Sequence, residues 1–161
     1  MAFDLYDASI PGLIHMLGGL TKVLAKGEAH GGIDPSEARL APDMLPLKNQ
    51  IYIATDSAKG CGARLAGVDV PKYEDTETSF AELIARVEKT IAFLKTLDRA
   101  GFAGAENKQI TLKFPSVTLE FTGGDYVTKF VLPNTYFHIT TAYDILRNQG
   151  VALGKNDYLG G

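Results

Sequence analysis

The 161-residue sequence predicts an all-α fold, a four-helix bundle with a small β-hairpin inserted before the last helix. Three observations carry that prediction. Four long segments repeat apolar residues with the period of an amphipathic helix. The period shortens to two in one place only, over QITLKF and VTLEF, with Pro115-Ser116 between them. No internal repeat or low-complexity segment divides the chain, so residues 1–161 read as one domain, long enough to bury a real core.

The first helix is expected from about Asp4 to Lys26, with Leu13, Leu17, Leu20 and Leu24 on one arc. Pro11 removes an internal hydrogen bond and predicts a kink or a late start. The following loop, GEAHGGIDPSEARL, contains an Asp-Pro-Ser-Glu run that suits a single helical turn. The second helix is expected from about Pro42 to Ala66, with Gly67 as its stop and Leu47, Ile51, Ala54, Ala58, Cys61 and Leu65 on its apolar arc. Ser79-Phe80-Ala81-Glu82 is a capping box and opens the third, which is expected to end at Gly101. Gly123-Gly124 then turns the chain into the last helix, starting at Asp125 or Pro133 and ending at Gln149. The tail VALGKNDYLGG reads as irregular.

Composition excludes several classes of function. Apolar residues make up 45% and the net charge is −3, with no basic run, so phosphate neutralisation cannot drive nucleic-acid binding. One cysteine, Cys61, allows neither an intrachain disulfide nor a multi-cysteine zinc site, which suits a reducing cytoplasm. The N-terminus lacks a basic segment followed by an apolar run, so no signal peptide is expected, and no stretch is long enough to span a bilayer. A loop-like run from Gly150 to Asn156 resembles a phosphate loop only superficially. It is one residue short, lacks Ser/Thr after its lysine, and follows a helix instead of opening one.

The informative residues are polar groups on apolar faces, because an unpaired buried polar group costs about 1–3 kcal/mol. His138 sits at the edge of the last helix's arc of Ile139, Ala142, Ile145 and Leu146. Asp43 and Gln50 are seven residues apart, two turns along the second helix if it begins at Pro42. Asp43 has an ordinary explanation as a first-turn acid complementing the helix dipole. Convergence of Asp43, Gln50 and His138 would make either a hydrogen-bonded polar cluster or a divalent-metal site. His15 is expected on the solvated side of its helix, His30 in a loop, and Cys61 buried and inert. Phe137 points to the polar side of the last helix, so the hairpin or a second subunit is expected to cover it.

RLAPDMLPLKNQ, AGVDVP…EDTETSFAEL, PNTYFHITTAYDILRNQGV and GKNDYLG together resemble a bacterial family of unknown function in the DinB/YfiT-like superfamily. The resemblance covers nearly the whole chain. It implies DinB-like connectivity of the four helices and a protein of a class described as metalloenzymes and often dimeric. Relatives carry three metal-binding histidines, one from the second helix and two in an HxxxH pattern on the last. Some transfer or isomerise substrates with low-molecular-weight thiols. Of that set only His138 has a counterpart. Ala142 stands where the second histidine of the pair belongs, and the second helix has none. No metal and no other cofactor is therefore expected.

Three functional readings follow. One is a small-molecule pocket near the starts of the second and last helices, formed by Asp43, Gln50 and His138 with Asn134 and Tyr143 outside them. Another is an enzyme, either a degenerate metal- or thiol-dependent transferase or isomerase, or one using His138 as base with Asp43 positioning it. The third is an interaction protein whose homodimer interface is its function.

Overall fold

A computed structural model describes residues 3–161. Helix α1 spans Ile10–His30, α2 Leu47–Ala66 and α3 Phe80–Lys95. The antiparallel hairpin β1 (Gln109–Lys113) and β2 (Thr118–Thr122) follows, with Ile110 opposite Phe121 and Leu112 opposite Leu119. A single turn, α4 (Gly123–Asp125), leads through a π-helical stretch at Tyr126–Val131 into α5 (Leu132–Asn148). A last short helix, α6, covers Lys155–Tyr158. The bundle with its inserted hairpin is the architecture the periodicity predicts. α1 packs chiefly on α3 and α2 on α5, and α2–α3 contacts join the two pairs.

Several boundaries differ from the sequence reading, each for a local reason. Pro11 gives α1 its late start, and residues 5–9 form turns tied down where Arg99 grips Asp7 and, at 2.7 Å, Asp4. α1 runs on past Lys26, so His30 is its last residue and not a loop residue. α2 starts at Leu47 and not at Pro42. Pro46 is extended (φ −69°, ψ 170°), and a residue before proline is pushed out of the helical region, which breaks any helix entering from Pro42. α3 opens on the expected capping box, with Ser79 Oγ accepting from Glu82 N–H and the Glu82 carboxylate accepting from Ser79 N–H at 3.0 Å. It stops at Lys95 and not at Gly101, because Thr96 Oγ1 turns back onto the Phe93 carbonyl at 2.7 Å and Asp98 caps a separate 3₁₀ turn over Arg99–Phe102.

The start of the last helix combines both expectations. The chain is helical from Gly123, but Pro133 cannot donate to the ladder and its ring crowds the preceding turn. The wider π register just before it absorbs that mismatch. The tail is not irregular: α6 packs on α1, where His15 Nε2 lies 2.8 Å from the Leu159 carbonyl and Lys26 pairs with Asp157 at 2.7 Å. His15 is exposed on the outer side of α1, as its spacing predicts.

The core takes the predicted arcs nearly intact. Leu13, Leu17, Leu20 and Leu24 of α1 are fully buried, as are Ile51, Ala54 and Cys61 of α2, and Ile145 and Leu146 of α5. Each fully buried Leu or Ile stabilises the fold by about 1.5–3 kcal/mol relative to exposure. Burial pushes the Cys61 thiol up to about 12, so it is held as an unreactive thiol. No helix of the described residues is long and apolar enough to cross a membrane.

Candidate functional site

The α2–α5 seam carries the polar residues that the apolar arcs cannot explain. Three contacts show that the two helical stretches run antiparallel. Gln50 meets His138, Ser57 Oγ accepts from Thr135 Oγ1 at 3.1 Å, and Arg64 Nη1 donates to Tyr126 Oη at 3.1 Å. The start of α2 therefore lies against the middle of α5, not beside its start.

The Gln50–His138 pair can be read atom by atom. Gln50 is buried and donates through Nε2 to the Leu45 carbonyl at 2.9 Å. A carbonyl can only accept, so this bond sets the amide orientation and leaves Oε1 toward the ring. Oε1 lies 2.6 Å from His138 Nδ1. An acceptor there requires a proton on Nδ1, and Nε2 then carries the lone pair. Nε2 has no hydrogen-bond partner among the described residues, and it is not a sealed atom, so it is open to solvent. Burial holds the imidazole below its ordinary pKa of 6.5, which favours this neutral tautomer at pH 7. Phe137 meets the ring edge-on, with centroids 5.2 Å apart.

The other predicted residues fall elsewhere. Asp43 lies in an exposed turn before α2, off the helix that was to carry it, and no hydrogen bond joins it to His138 or Gln50. Gln50 does the orienting that Asp43 was expected to do. Asn134 lies one turn before His138 and lines a neighbouring cleft of about 240 Å³ between α2, α5 and the hairpin. Tyr143 faces away from the seam and packs edge-on against Tyr158 of α6, at 6.3 Å. Phe137 is 56% exposed, and the hairpin does not cover it. The hairpin's Phe121 packs instead on Tyr126 and Phe130, at 6.1 and 5.7 Å.

The seam's donors do not fit a metal. Nδ1 of His138 and the Gln50 oxygen already face each other, and Ala142 offers no donor atom. That leaves one free imidazole nitrogen, where a catalytic zinc takes three protein ligands. Among the described residues no three His, Cys, Asp or Glu side chains gather to hold an ion elsewhere.

Sequence reasoning missed a second polar centre. Arg86 of α3 lies off the apolar arc, yet its side chain is only 1% exposed. The 68–79 linker folds over it. Nε donates to Thr55 Oγ1 at 2.9 Å, Nη1 to the Glu74 carbonyl and Glu77 carboxylate at 3.1 Å, and Nη2 to Asp56 at 3.0 Å, while Asp75 forms an ion pair with Nη2 at the same distance. Three carboxylates and a backbone carbonyl thereby surround the guanidinium. The rings of Tyr52 and Tyr73 lie 4.7 and 5.2 Å from the cation, and Tyr52 also donates to the Glu77 carbonyl. The signal that could have found it was the acidic, tyrosine-bearing run KYEDTE in an otherwise turn-rich linker.

The whole chain has a solved counterpart. It is similar to the crystal structure of a DinB family member protein from Shewanella denitrificans, at 38% identity over 98% of this chain and 92% of that one, with a TM-score of 0.84. The fold is thus a DinB-like helical bundle. Residues 5–159 match the domain of unknown function DUF1993, and the chain belongs to that family. No curated protein matches it.

Proposed function

We propose that the Gln50–His138 corner of the α2–α5 seam is a small-molecule site that works without a metal. The observation that supports it is the relay from the Leu45 carbonyl through the Gln50 amide to Nδ1. It presents His138 Nε2 as a neutral, oriented acceptor at the protein surface. Such a nitrogen accepts a hydrogen bond from a ligand hydroxyl or amide, and it can take a proton from one that is acidic enough. Inheritance of metal-dependent thiol chemistry is not proposed, because the donor set that chemistry needs is missing. A reducing cytoplasm suits a chain whose one cysteine is a buried thiol.

The test is a screen of small neutral hydrogen-bond donors by NMR against wild type, His138→Ala and Gln50→Leu. Hits should move the His138 ring signals and weaken in both variants. Variants that bind the same compounds as wild type would sink the reading. Metal analysis of protein purified without a histidine tag should find no stoichiometric Zn, Ni or Fe.

A second reading rests on Phe137 and Leu45, which are 56% and 49% exposed beside the corner. Apolar side chains at that exposure suit a homodimer interface. Light scattering on the eluted protein decides it: a dimer that Phe137→Ser converts to monomer supports the interface, and a wild-type monomer removes it.

A further inference from the structure

The cleft beyond Asn134 holds a charge with no partner. Arg64, in the last turn of α2, makes one side-chain hydrogen bond, to Tyr126 Oη, and no carboxylate lies within ion-pair distance of it among the described residues. Its guanidinium folds back over Gly60, where a Cβ would run into Nη1, so glycine makes the room it occupies. Tyr126 is 1% exposed, and burial pushes its phenol up to about 12, so it keeps its proton. Its oxygen accepts from Arg64, while its own O–H has no acceptor among the described residues. The remaining guanidinium N–H groups and the phenolic O–H thus stand together at a cleft with no acceptor for them among the described residues.

The rest of the cleft sets the kind of acceptor. Its walls are Leu112, Phe114 and Phe130, with Ser57 and Asn134 toward the other end. The Tyr126 and Phe130 rings stack at 6.0 Å, and Phe114 stands 6.4 Å from Phe130. The one acid at the rim, Asp56, is already held by Lys59 at 2.7 Å and Arg86 at 3.0 Å, so it does not cancel Arg64. A guanidinium beside a phenolic O–H suits a carboxylate, which accepts from both in one plane. Aromatic walls suit an apolar body behind it.

We infer that this cleft is a binding site for a small carboxylic acid with an apolar, ring-sized body, its carboxylate held by Arg64 and Tyr126. Along the π-helical stretch Tyr126 and Phe130 line the cleft, while Val127 and Val131 are fully buried in the core. The site does not depend on the reading of His138, since Arg64 lies fourteen residues along α2 from Gln50, about 21 Å of helix rise.

Phenylacetate is the probe, titrated into the full chain and followed by NMR, with acetate and phenylacetamide as the anion and the body alone. Phenylacetate should bind about tenfold or more tightly than either, and Arg64→Gln should lose about tenfold of that affinity, as expected for a hydrogen-bonded charge. Tyr126→Phe and Gly60→Ala should each weaken it too, the second because it displaces the guanidinium without removing its charge. Circular dichroism checks that each variant is folded. Signals from the cleft should shift while those of the His138 ring do not, which separates this site from the corner. Equal binding of phenylacetate and phenylacetamide, equal binding of acetate, or undiminished affinity in folded Arg64→Gln or Gly60→Ala would overturn the assignment.

Discussion

Arg86 and His138 are both polar side chains drawn into an apolar bundle, and their hydrogen-bonding capacities are used to different extents. Arg86 donates to Thr55, Asp56, Glu74 and Glu77, forms a further ion pair with Asp75, and has two tyrosine rings flanking it. Its charge is matched by three carboxylates. It clasps the 68–79 linker onto α2 and α3. His138 has spent one nitrogen on Gln50 and kept the other open. Polar groups matched in this way are part of the structure, and a group without such partners is where a ligand can be recognised. By the same criterion Arg64 falls with His138, because its charge is unpaired.

The comparison can be broken most directly at Arg86. Arg86→Met removes the cation and leaves its acids facing one another, and should lower stability by about 3 kcal/mol or more. Urea unfolding measures it, and a loss below about 1 kcal/mol would mean that the clasp acts like a surface ion pair. Gln50→Leu comes next. It leaves the Nδ1–H of a buried ring unpaired and should cost about 1–3 kcal/mol. It also frees the tautomer, so ring-nitrogen NMR should change from a single Nδ1–H form to a mixture. A single unchanged tautomer in that variant would place the control of His138 elsewhere.

Acidification gives a smaller effect with a definite sign. Burial lowers the folded-state pKa of His138 below its ordinary 6.5. As pH falls through about 6.5, the unfolded chain takes up a proton that the folded ring still refuses, so stability declines until the folded pKa is passed. His138→Phe should flatten this limb of the stability–pH curve, and an unaltered slope would show that another group controls it. The smallest effect is expected at Asp43, which is exposed and off α2. Asp43→Asn should change stability by no more than about 0.5 kcal/mol and leave the His138 signals in place.

Much of the bundle was legible because its causes are local. Ser79 and Glu82 predicted the start of α3, and Gly67, at φ 75°, the end of α2. The alternation in QITLKF and VTLEF predicted the hairpin, whose strands cover most of both runs. The leucines of α1 predicted its buried face. The misread boundaries had local causes too: Pro46 forbids a helix entering from Pro42, and the Thr96 hydroxyl ends α3. Part of the candidate site was visible as well, since Gln50 and His138 stood out as polar residues on apolar arcs and the structure joins them directly. Asp43 was grouped with them only through a helix start that Pro46 does not permit.

The sequence by itself determined where helices and strands form and which faces they bury. Those properties depend on neighbours within a turn or two along the chain. Only the tertiary structure decided that Gln50 and not Asp43 orients His138, that the linker seals Arg86, and that Arg64 and Tyr126 meet at one cleft. Those pairings join residues from nine to eighty-eight positions apart. They depend on which helices lie antiparallel and on where a loop folds back, and no local period along the chain encodes either.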